Sequence, residues 1–116
     1  MIDDFNALVD RVTAVQGVRG ALVVSEEDGF VVAATLMEGL EGEAAAALAA
    51  ALMNRITTAF SAAGRRRPTL VHCEATQGGL LATPLEDGLL LVAVLEPGAN
   101  VGLARLALLE PAGGTA

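Results

Sequence analysis

Apolar positions along the chain fall into two alternating periods, and the changes of period mark out its elements. Phe5, Leu8, Val12 and Val15 follow at steps of three and four, the spacing of one helical face. Asp3 or Asp4 stands before them, where a carboxylate can accept bonds from free backbone N–H groups, and Gly17 ends the segment. Two β-rich runs, Ala21 to Val24 and Phe30 to Ala33, flank Ser25-Glu26-Glu27-Asp28-Gly29, and this pattern predicts a hairpin. A long helix is predicted next, opening at Glu41-Gly42-Glu43, running through Ala- and Leu-rich sequence to Ala63 and closing at Gly64. Leu48, Leu52, Ile56 and Phe60, at steps of four, are its expected core stripe. The opposite face then carries Glu43, Ala47, Ala50, Asn54, Thr57 and Ser61. That face is small and barely charged, unlike an ordinary solvated face, and suits close approach by another helix.

Beyond Arg65-Arg66-Arg67-Pro68 the period shortens. Leu70 to Ala75, Leu80 to Thr83 and Leu89 to Leu95 read as three strands, separated by turns at Thr76-Gln77-Gly78-Gly79 and Glu86-Asp87-Gly88, hence a meander. The last run is apolar without alternation, as in a strand covered on both faces, so it belongs at the sheet centre. Asn100 can cap a short helix through Leu109. The expected fold is therefore α+β, one five-stranded antiparallel sheet with helices packed on it in the order α-β-β-α-β-β-β-α. A single domain is expected over residues 1–110, with 111–116 as a flexible tail.

Composition sharpens this reading in three ways. Apolar residues make up 53% of the 116, yet only three are aromatic, which is more aliphatic surface than a lone small domain needs and points to an oligomer interface. The net charge of −7 disfavours nucleic acid and anionic lipid as partners. Met1 to Asn6 carries no leader pattern, and the longest apolar run, Ala44 to Met53, is about half of the roughly twenty residues a membrane span needs. With a single cysteine, Cys73, no intrachain disulfide can form. These features together suggest a soluble, cytoplasmic protein. Arginine supplies all seven cations, beside abundant Ala and Gly, a usage typical of a GC-rich bacterial genome.

Catalytic chemistry finds few candidates. The one histidine, His72, and the one thiol, Cys73, are neighbours on a predicted strand, so they point to opposite faces and cannot act on one substrate. One His and one Cys are too few nitrogen and sulfur ligands for zinc, and neither a P-loop nor a dinucleotide-binding glycine turn is present. The chain is expected to be non-enzymatic, without cofactor or metal. Cys73 reads as a buried inert thiol, with a redox contact across a dimer as the sharper alternative. Arg65, Arg66 and Arg67 read as a solvated loop complementing the helix dipole, or as a contact for an acidic partner or a phosphate.

Several phrases, in order and spacing, resemble the Roadblock family of dynein light chains and bacterial GTPase regulators. Val15-Gln16-Gly17-Val18-Arg19-Gly20-Ala21-Leu22-Val23-Val24-Ser25 with Asp28-Gly29 is similar to the family's helix end and first hairpin. Glu43-Ala44-Ala45 resembles its central helix, Glu86-Asp87-Gly88-Leu89-Leu90-Leu91-Val92 its last turn and central strand, and Asn100-Val101-Gly102-Leu103-Ala104-Arg105 its closing segment. The resemblance implies a Roadblock/profilin-like sandwich that forms a homodimer, with central helices paired and third strands joining two sheets. Glu43, Ala47, Ala50, Asn54 and Thr57 would then make the helix contact, and Val71 and Cys73 the strand contact. The implied partner is a small Ras-like GTPase whose nucleotide state the dimer modulates. A small-molecule sensor and a purely architectural dimerisation domain are the alternatives, and the nearly all-aliphatic interior argues against a ligand pocket.

Overall fold

The computed structural model describes residues 4–110. Asp4 caps the first helix, its carboxylate accepting a hydrogen bond from Ala7 N–H at 3.0 Å. Eight elements follow: α1 (Phe5–Thr13), β1 (Val18–Ser25), β2 (Val31–Leu36), α2 (Gly42–Ala62), β3 (Val71–Ala75), β4 (Gly78–Pro84), β5 (Leu89–Leu95) and α3 (Val101–Leu109). This is the order read from the sequence. Asp3 and the tail 111–116 lie outside the described residues.

The five strands form one antiparallel sheet in the order β2-β1-β5-β4-β3. Its middle strand is β5, whose apolar run is covered from both sides, as its lack of alternation implied. Asp87 and Gly88 both take positive φ, 62° and 74°, in the tight turn that joins β4 to β5. Such a primed turn matches the twist of the strands it connects.

Alternation along the strands sends side chains into two separate apolar layers. On one face Ala21, Val23, Leu81, Leu91 and Ala93 meet Leu8, Val9 and Val12 of α1 and Ala104 and Leu108 of α3. On the other, Leu22, Val24, Leu80, Ala82, Leu90 and Val92 meet Ala46, Ala49, Ala50 and Met53 of α2. Two helices thus cover one face, and α2 alone covers the other. Arg11 ties α1 to the end of α3 by donating to the carbonyls of Ala107 and Glu110, both at 3.0 Å. A cation there also suits the negative pole of α3.

The orientation of α2 corrects the expected core stripe. Leu48 is 60% exposed and Phe60 39%, whereas Ala46, Ala49, Ala50 and Met53 lie buried on the sheet. Each four-residue step overshoots a full turn by about 40°, so Leu48, Leu52, Ile56 and Phe60 wind roughly 120° round the helix and cannot share one face. The steps of three, four and seven from Ala46 do hold one face. Small side chains along it let the helix lie close to the sheet.

Candidate interaction surface

Because α2 contacts the sheet through alanines, its larger side chains are left outside. The exposed positions Ala44, Ala47, Leu48, Ala51, Arg55, Thr58 and Ala59 form a solvent face with one formal charge, at Arg55. Glu43 and Arg55 are the only charged residues in this 21-residue helix. A helix meant for water alone would be studded with Lys and Glu. Its two flanks differ. Ala47, Ala51 and Asn54 face the β1–β2 hairpin across a shallow cleft of about 220 Å³ that Glu26, Glu27, Asp28 and Gly29 close from the far side. The flank turned away from that hairpin carries Leu48, Leu52, Ile56 and Ala59, and of these Leu52 and Ile56 are half-buried against the core.

At the far edge of the sheet, β3 pairs with β4 alone among the described strands. Register puts Val71 and Cys73 opposite Ala82 and Leu80, on the α2 face, and His72 opposite Leu81, on the other. His72 and Cys73 therefore diverge, as their adjacency required. Cys73 is exposed rather than buried, because no described element covers its end of the sheet. His72 instead borders a small recess of about 80 Å³ with Glu74, Glu96 and Val101.

The residues expected at a dimer contact are thus dispersed. Ala50 is buried in the chain's own core, at 7% exposure, and is not available to a second helix. Val71, expected at the strand contact, turns its side chain into the core from a strand that lies at the sheet edge. Thr57 is half-buried, and its Oγ1 is shielded without a hydrogen-bond partner. Glu43, Ala47 and Asn54 are exposed, the last two beside the hairpin, and Cys73 is exposed at the β3 edge. What sequence reasoning missed is Leu48, the most exposed of the large apolar side chains described on this helix. Its four-residue spacing with Leu52, Ile56 and Phe60 reads as a core stripe. The wheel angle against Ala46 and Met53 would have turned it outward.

The arginine cluster is also divided. Arg67 donates to Glu26 at 2.7 Å and binds the loop after α2 to the hairpin tip. Arg65 and Arg66 are exposed beyond the end of α2. The bridge covers one of three neighbouring acids, leaving Glu27 and Asp28 exposed.

Three further features complete the surface. The outer ridge of α3 exposes Leu103, Leu106 and Leu109, at helical steps of three. At the other sheet edge, Phe30 just before β2 and Val31 and Val32 within it are exposed. No described helix is long and apolar enough to cross a membrane.

The architecture of a five-stranded sheet with one helix on one face and two on the other recurs in solved structures. Myxococcus xanthus MglB superposes with a TM-score of 0.77 at 19% identity, covering 88% of this chain and 83% of that one. An MglB with a tetrameric arrangement gives 0.76 at 21% identity, covering 87% and 76%. A Roadblock/LC7 domain from Streptomyces avermitilis is 27% identical with a TM-score of 0.66, covering 91% and 92%. A comparison with curated proteins found no match. The family model for the Roadblock/LC7 domain matches residues 4–95, from the cap of α1 to the end of the central strand, and the chain belongs to that family.

Proposed function

We propose that the chain is a non-catalytic regulator that acts as a homodimer, binding a small Ras-like GTPase and modulating its nucleotide state. The observation that carries the reading is the bare apolar flank of α2, Leu48, Leu52, Ile56 and Ala59, on the same sheet face as the exposed Cys73 of edge strand β3. Two copies related by a two-fold axis can pair β3 with β3 and lay these flanks together, extending one sheet across both. Small residues at such a contact allow close helix approach, and the leucines supply the apolar area. Self-association accords with the tetrameric arrangement of one MglB structure and with family membership. Ala47, Ala51, Arg55 and Thr58, still outward-facing on α2, then form with their symmetry mates a continuous platform for a partner.

Regulation of a nucleotide state requires only that the dimer bind one conformation of the switch regions more tightly than the other. No nucleophile or base is needed from this chain, consistent with the divergence of His72 and Cys73. The test is capture on the immobilised protein from the host's own lysate, run in parallel with GDP and with a non-hydrolysable GTP analogue. Retention of a small GTPase with one nucleotide, and its loss with the other, is the expected outcome. Retention of proteins indifferent to nucleotide replaces the regulator with a scaffold.

A further inference from the structure

Native sheets blunt their open edges with lysines, prolines or inward-turned charges, since a row of free N–H and C=O groups invites another strand. β3 carries Glu74 within its span, whereas β2, Val-Val-Ala-Ala-Thr-Leu, carries no charge and no proline. Val32 is 50% exposed and Phe30, just before the strand, 71%. A bulge between Val31 and Ala33 leaves Val32 without an opposite residue on β1. Met37 N–H donates to Arg19 C=O at 2.9 Å, which makes that pair a hydrogen-bonded one. By alternation the pair Ala21–Thr35 is bonded as well, so Ala34 and Leu36 direct their N–H and C=O away from β1.

The charges lie at the two ends of this strand. Glu27 and Asp28 are exposed beyond its start, and Glu38 and Glu41 beyond its end. Against them stands Arg19, whose guanidinium donates to the Glu38 carbonyl. A second copy of β2, in either direction, would bring acids against acids at both ends. We infer that the β2 edge receives an extended segment of another protein, with alternating apolar residues and Lys or Arg at each end, as a sixth strand. Main-chain bonds to Ala34 and Leu36 supply the pairing, and the terminal acids select a basic-ended segment over a second copy. This site is independent of the dimer contact and of any GTPase, both assigned above to α2 and the opposite edge.

The test uses the full chain and two peptides, Arg-Lys-Val-Thr-Val-Thr-Val-Thr-Lys-Arg and the same core with Glu and Asp at the ends. Titration calorimetry should give at least tenfold tighter binding of the basic peptide, and amide exchange should slow at Ala34 and Leu36. Ala34→Pro removes an outward N–H without breaking a bond to β1 and should abolish binding, with the protein's mass in solution unchanged. The double variant Glu27→Lys/Glu38→Lys leaves the backbone intact, covers the case of an unfolded proline variant, and should reverse the preference between the peptides. No binding, equal binding of both peptides, or slowed exchange at β3 in place of β2 overturns the inference. So does a lower mass for Ala34→Pro, which would assign the edge to a second copy.

Discussion

Gly78 takes a φ of 135°, and a Cβ there would run into the carbonyl oxygen of Leu95. The glycine is what lets β4 start hard against the end of β5. Gly88 also has positive φ, 74°, but a Cβ there would meet nothing within 4 Å. Gly78→Ala should therefore cost about 3 kcal/mol or more, through backbone displacement as well as strain, and Gly88→Ala only about 1 kcal/mol. Urea unfolding of the two variants checks this, and equal losses would contradict the steric account. Asn100 caps α3 by accepting from Leu103 N–H at 3.1 Å, so Asn100→Ala should lower stability by about 1 kcal/mol in the same assay. Residues of this kind were legible in the sequence, since Asp-Gly, Gly-Gly and a lone Asn before an apolar run each have one local use. Exposure was not legible. Cys73 reads as buried from its type, and only the position of β3 at the sheet edge brings it into solvent.

Among the elements, α2 shows most clearly where periodicity informs and where it misleads. Its existence and ends follow from alanine content, the acidic start and Gly64, and the structure agrees within a residue. Its facing does not, because a leucine at every fourth position looks like a stripe while it spirals off the core. Alanine forms the buried face, and alanine gives almost no hydropathy contrast with the rest of the helix. Opposite effects are expected for two glutamates on this helix. Ala50→Glu places a charge in the apolar layer between α2 and the sheet and should cost roughly 3–5 kcal/mol, unfolding much of the protein. Leu48→Glu charges a side chain already in water and should leave the single chain folded, with a circular dichroism spectrum like the parent's. Loss of fold in Leu48→Glu, or a well-folded Ala50→Glu, would show that α2 is rotated from the orientation described.

For the whole molecule, the −7 charge, the two-layer core and the two bare sheet edges divide the surface into regions with different uses. Fold class, element order and the central position of β5 were readable because each strand and turn carries its own local signal. The pairing of β1 with β5 and the side of the sheet that α2 covers depend on contacts distant in sequence, which no local pattern encodes. Every step of the proposed regulation begins with two copies sharing one sheet, through the β3 edge and the Leu48 flank of α2. The most direct measurement is light scattering behind a sizing column, read by refractive index because the chain has no Trp or Tyr. The parent protein should show twice 11.7 kDa at micromolar concentration, and Leu48→Glu should fall to 11.7 kDa while staying folded. A monomeric parent, or a Leu48→Glu variant of undiminished mass, would contradict the account.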